Sequence, residues 1–160
     1  GEQIAEPLRV WKLRPAGQIQ ARVDELLTLV GLEAHHASRL PGAFSGGQRQ
    51  RVAIARALAL EPELLVADEA VSALDLSVRG QILALLDELR RQLGLTVLFI
   101  SHDLAAVKQV CDRVVVLYHG NIVESGLTAQ VLGAPQHPYT QTLLAAAPDI
   151  RQALQLRNVS

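Results

Sequence analysis

The sequence predicts an α/β fold. Two short apolar runs without alternation, Leu64–Ala67 and "TVLFIS" at 96–101, flank one long amphipathic helical pattern, and a third β-rich run follows another helical stretch. Uninterrupted apolar runs of that length suit strands buried on both faces. The order strand, helix, strand, helix, strand implies a parallel core sheet with right-handed crossovers and ligands at the carboxyl ends of the strands.

The elements follow from local pattern. Residues 1–17 hold two prolines and two glycines among scattered apolar residues, and read as irregular or briefly helical. From Gln18, the residues Ile19, Val23, Leu26, Leu27 and Val30 keep helical spacing as far as Gly31, a stop signal. A short helical or loop segment from Glu33 to Leu40 ends at Pro41-Gly42. "FSGGQRQRVAIARAL" (44–58) begins a second helix that carries Val52, Ile54, Ala55, Leu58 and Ala59 inward. Glu61-Pro62-Glu63 separates it from the first strand. Leu74 to Leu93 forms the strongest amphipathic helix, through Val78, Ile82, Leu85, Leu86 and Leu89, closed by Gly94. After the second strand, Asp103 or Ser101 can cap a helix from Leu104 to Val110. "RVVVLYHGNIVESG" reads as a hairpin turning at His119-Gly120-Asn121. Two short helices complete the chain, one near Leu127–Leu132 and one starting at Pro138.

Composition bounds the function. The chain has 160 residues and is 49% hydrophobic, enough for a real core and too apolar for disorder. Fifteen Lys and Arg oppose sixteen Asp and Glu, so there is no nucleic-acid footprint and no polybasic membrane patch. No apolar run approaches the roughly 20 residues that span a bilayer, and no secretory signal opens the chain. The lone Cys111 can form no intrachain disulfide and sits in no metal-ligand spacing, which points to a reducing cytosol. The Asn158-Val159-Ser160 sequon reads as chance. Methionine is absent even at position 1, so Gly1 is not expected to be a native start.

Several residues carry chemistry. Ser45 can cap the second helix, and Gln48, three residues on, can reach back to it in a capping box. Gly46 and Gly47 then need a reason, since each costs about 1 kcal/mol against alanine inside a helix. A bare first turn lets unsatisfied N–H groups and the positive end of the dipole approach a phosphate. Capping without any ligand is an equal alternative on these residues alone. Asp68 and Glu69 end the first strand, either as a solvated loop pair or as a magnesium ligand acting through water beside a base for an attacking water. His102 ends the second strand, where strand order should bring it near Glu69 and a terminal phosphate; the plainer reading is a turn residue. In "SALD" (72–75), Ser72 reads as a helix N-cap and Asp75 as a first-turn acid.

The order of these motifs resembles the ATP-binding cassette (ABC) ATPases. "SGGQ", then an apolar strand ending "DE", then "SALD", then a strand ending "SHD" is similar to the signature motif, Walker B strand, D-loop and switch histidine of that family. The resemblance implies that Glu69 is the catalytic glutamate, that His102 is the switch histidine, and that Asp68 holds Mg2+ through water. It implies that Ser45, Gly46, Gly47 and Gln48 touch ATP held by the P-loop of a second domain, and that Asp75 lies in the D-loop. "PQHPYTQTLLAAAP" (135–148) resembles the C-terminal motif of oligopeptide and dipeptide importer subunits, and "GEQIAEPL" is similar to the segment after their Q-loop. Ala70-Val71 departs from the Pro-Thr common after the Walker B acids, a variant that some peptide-importer subunits share.

One departure matters more. No glycine is followed by lysine, so G-x-x-x-x-G-K-[ST] is missing, as are counterparts of the Q-loop glutamine and the adenine-stacking aromatic. The expectation is therefore a partial P-loop NTPase fold lacking the N-terminal Walker A half. Residues 1–46 would belong to the helical subdomain ending at the signature motif, with Gly46 and Gly47 exposed to nucleotide. Residues 47–126 would form the second half of the catalytic core, and residues 127–160 a C-terminal extension of peptide-importer type. Without its early strands, the sheet can expose faces such as Leu64–Ala67.

The resemblance implies ATP and Mg2+ as ligands and a second ABC ATPase subunit as homo- or heterodimer partner. It further implies membrane permease subunits, an indirect link to a substrate-binding protein, and a place on the cytoplasmic face of the membrane. Two other readings stay open. One is an ABC ATPase of another branch, such as an exporter or soluble factor; the other is a non-catalytic partner that donates its signature motif to another subunit's P-loop.

Overall fold

A computed structural model of the protein describes residues 1–147. The end of the expected C-terminal extension, 148–160, and the sequon within it lie outside the described residues. The chain forms two compact units, Gly1–Leu98 and Phe99 onward.

The first unit opens with a helix, α1 (Glu2–Val10), where only brief helicity was expected. Pro7 lies inside it and removes one backbone donor. Ile4, Ala5 and Leu8 nevertheless share one buried face, and that packing outweighs the lost bond. Helix α2 (Ile19–Leu29) buries Ile19, Val23, Leu26 and Leu27 as its spacing requires, and Gly31 follows in the left-handed region at φ 71°. Two 3-10 turns, Ala34–Ser38 and Pro41–Ala43, lead to α3 (Gly46–Leu58). Helices α1, α2 and α3 pack against one another. Ile54, Ala55 and Leu58 of α3 are buried with Ala59, while Val52 is only half-buried. Arg51 donates to the Val30 carbonyl at 2.6 Å and so places a cation at the C-terminus of α2.

Strand β1 (Leu64–Asp68) leads through a loop into α4 (Leu76–Leu93), and β2 (Thr96–Ile100) pairs beside β1. Helix α4 buries Ile82, Leu83, Leu85, Leu86 and Leu89 and closes at Gly94 with φ 65°, a left-handed cap that favours glycine. The expectation of strands buried on both faces is corrected. Leu65 and Ala67 are buried, but Leu64 and Val66 are 52% and 54% exposed, and no residue of β2 is buried. Leu98, at 50%, is as open as the β1 pair. Apolar runs report what a strand can bury; here only the Leu65 and Ala67 side of β1 is covered.

In the second unit, α5 (Leu104–Val110) is followed by β3 (Arg113–Tyr118) and β4 (Asn121–Leu127), which pair antiparallel. The hairpin turns where the sequence predicts, at His119 and Gly120, which both have positive φ as a two-residue turn requires, while Asn121 already belongs to β4. The register shifts at Val116/Leu117. Helices α6 (Thr128–Gly133) and α7 (Pro138–Ala145) appear where expected, with Pro138 at the first helical position. Leu132 and Leu144 pack together with Leu104 and Ala147.

Candidate functional site

The N-terminus of α3 carries the capping box that the sequence predicts. The Gln48 N–H donates to Ser45 Oγ at 3.2 Å, and the Ser45 N–H donates to Gln48 Oε1 at 3.1 Å. The two glycines do not match expectation. Gly46 is half-buried and Gly47 is buried, not laid open. A Cβ added at Gly47 would stand 2.4 Å from Val78 Cγ1, and one at Gly46 would stand 3.3 Å from Leu74 Cδ2. The first turn of α3 is bare partly because α4 presses on it. Nothing in the local pattern around 45–48 signals this, since the partner lies some thirty residues on in the sequence.

Asp68 ends β1 with its side chain exposed, and Glu69 follows it with φ 48°. A glutamate in the left-handed region costs roughly 1–2 kcal/mol, and such strain persists only where the surroundings hold it. Here the holding groups belong to Ser72, whose N–H and hydroxyl both donate to the Glu69 carbonyl, at 3.2 and 2.9 Å. Val71 is 1% exposed and anchors the loop in the core, with its carbonyl accepting from the Leu74 N–H. The Ala70-Val71 variant thus supplies an apolar plug. Ser72 is not the helix cap expected of it; it is a turn residue that grips Glu69.

Asp75 is the N-cap of α4 and not merely a first-turn acid. Its Oδ1 accepts the Val78 N–H at 3.0 Å and the Ser77 hydroxyl at 2.8 Å. Those two donors hold its carboxyl below the ordinary value. In the second unit, His102 is exposed, one residue before Asp103. Asp103 caps α5 by accepting from the Ala105 and Ala106 N–H groups, and its own N–H donates to Ser101 Oγ.

The exposed carboxylates at 68 and 69 are hard oxygen donors of the kind magnesium accepts. Among the described residues no group of three or more His, Cys, Asp and Glu side chains gathers to hold a metal ion. Magnesium suits such a sparse site when phosphate oxygens and water complete its shell.

Sequence reasoning missed one further cluster. The Glu124 carboxylate accepts the backbone N–H groups of Gln136 and His137, at 2.9 and 3.1 Å, just before α7. The Thr140 hydroxyl and these two N–H groups hold Glu124 below its ordinary range. His137 Nδ1 in turn accepts the Tyr139 N–H, and the Tyr139 ring lies 4.2 Å from that of Tyr118. "HPY" is thus fastened to the hairpin.

A family model described as ABC transporter matches residues 2–72, and one described as oligopeptide/dipeptide transporter, C-terminal region, matches residues 123–160. The chain is similar to the ATP-binding proteins of ABC transporters. It is 57% identical over 148 residues to glutathione import ATP-binding protein GsiA of Escherichia coli (strain K12) and of Shigella sonnei (strain Ss046). Each match covers 92% of this chain and 24% of the relative, so the chain spans about a quarter of their length. A solved structure, the ADP conformation of MJ1267, an ATP-binding cassette of an ABC transporter, superposes with a TM-score of 0.70 at 27% identity. That match covers 81% of this chain and 50% of the cassette, in keeping with the partial ATPase fold predicted. No described helix is long and apolar enough to cross a membrane.

Proposed function

We propose that this chain contributes the signature turn, the hydrolytic carboxylate and the C-terminal extension of an ATP-hydrolysing importer subunit. The single observation that carries the reading is Glu69, held in a left-handed backbone conformation at the end of β1 by two donors from Ser72. Glu69 aims and deprotonates the attacking water. Asp68 holds Mg2+ through water, and the ion, when bound, neutralises charge on the phosphate oxygens. The Ser45–Gln48 turn presents N–H groups and a positive dipole end to the nucleotide phosphate. His102 contacts the terminal phosphate and keeps the water in place, and Asp75 fixes the loop between the two carboxylates and α4. The division of labour follows 1–46, 47–126 and 127–160 as set out above.

No phosphate-cradling lysine loop occurs in these 160 residues, so residues other than these must hold the nucleotide. A second ATPase subunit, membrane permease subunits on the cytoplasmic face of the membrane, and a binding protein acting through them are the proposed partners. The proposed cargo is a short peptide. Oligopeptides and dipeptides are the class suggested by the C-terminal region, and the GsiA relatives are named for glutathione, itself a tripeptide.

Calorimetric titration of the 160-residue chain with Mg-ATP tests the first part; no micromolar binding is expected, and such binding would refute it. Joining the chain to a P-loop-bearing first half of a relative's cassette should create ATP turnover. With permease and binding protein added, labelled peptide should enter vesicles, whereas exclusive uptake of a non-peptide solute would overturn the cargo assignment.

A further inference from the structure

We propose that Val78 is a positioning residue for the signature turn, its side chain filling the space that a side chain at position 47 would need. The proposal rests on the reading of Ser45–Gln48 as a phosphate-touching turn. Three observations carry it. The hypothetical Cβ of Gly47 would lie 2.4 Å from Val78 Cγ1 and 3.8 Å from Val78 Cβ, far inside contact distance. Val78 is β-branched in a helix and so has essentially one rotamer, which leaves it no room to swing aside. Its backbone N–H is tied to Asp75 Oδ1 at 3.0 Å, so the residue is fixed at both ends.

The first turns of α3 and α4 therefore abut, and the position of one sets the position of the other. Gly46 differs: its added Cβ would meet only the flexible tip of Leu74, at 3.3 Å. The two glycines thus have separate reasons. Position 47 is bare for Val78, and position 46 is left as the one that can face a ligand. An Asp75–Val78–Gly47 sequence of contacts joins the D-loop to the signature turn within one chain. A displacement of the Asp75 cap moves the turn that touches phosphate.

A size swap separates packing from nucleotide contact. Gly47→Ala alone should lower the melting temperature of the chain by about 3 °C or more, although alanine is the better helix former. Adding Val78→Ala should recover most of that loss. In the completed cassette, Gly47→Ala should cut kcat on the order of a hundredfold, and the added Val78→Ala should bring it back to within about tenfold. KM for ATP should stay close to the unmutated value in both variants. If the double variant melts no higher than Gly47→Ala, the proposal is overturned; if it melts higher but stays as slow, it is overturned as well and the glycine serves the nucleotide directly. If the unmutated cassette shows no ATP turnover, the proposed function fails instead, and the melting series alone decides the Gly47–Val78 pair.

Discussion

The Ser72 hydroxyl and the Ser72 N–H converge on one acceptor, the Glu69 carbonyl, at 2.9 and 3.2 Å. Two donors on one oxygen lock the peptide after Glu69 and keep the residue at φ 48°. The direction of its Cα–Cβ bond is then set by the backbone. Replacing Ser72 with alanine removes the hydroxyl donor and leaves the N–H. We expect a loss of about 1 kcal/mol in urea unfolding and a larger proportional loss of ATP turnover in a completed cassette. Unchanged turnover would mean that the Glu69 backbone is held by other groups.

Ser45 and Gln48 satisfy two orphan N–H groups at the start of α3. Ser45→Ala should cost about 1 kcal/mol and Ser45→Asp much less, since aspartate caps equally well. Urea midpoints of the two variants check this. Equal losses would point to a role for the serine hydroxyl beyond the cap.

Glu124 gives a pH-dependent signature. Its carboxyl is lowered in the folded state from an ordinary value of 4.5 by the Thr140 hydroxyl and by the N–H groups of Gln136 and His137. A lowered carboxyl stabilises the fold above its ordinary value, and that contribution fades as pH falls through the folded value. The stability gap between the unmutated chain and Glu124→Gln should therefore be open at about pH 5 and above and close as pH falls below 4.5. Comparing two chains that both keep Asp75 cancels the parallel acid dependence of that group. A gap that widens as pH falls below 4.5 would contradict the assignment.

Leu64 and Val66 leave one face of β1 open. An apolar strand face with no cover favours self-association. Leu64→Thr with Val66→Thr should raise the concentration at which the chain stays monomeric by light scattering, with the melting temperature little changed. A large drop in melting temperature would show instead that the face is covered.

The order of elements, the α2 and α4 cores, the hairpin turn and both C-terminal helices were legible because each rests on local signals. Those signals are apolar period, caps, and glycine at left-handed positions such as 94 and 120. Helix α1 was less legible, because Pro7 interrupts the local pattern and the helix rests on burial of Ile4, Ala5 and Leu8, a tertiary effect. The exposed faces of β1 and β2 differ from the pattern because hydrophobicity records capacity for burial, not the presence of a covering layer. The Gly47–Val78 contact and the Glu124 tether join residues distant in sequence, which no window of ten or twenty residues reveals. Ser72 looked like a cap because serine two or three residues before a helix often is one; Asp75, nearer the helix, took the place.

The most direct test of Glu69 as the hydrolytic base is Glu69→Gln in the completed cassette, followed by ATP turnover and ATP retention. We expect turnover to fall by at least about a hundredfold while ATP remains bound. Near-normal turnover in that variant would contradict it.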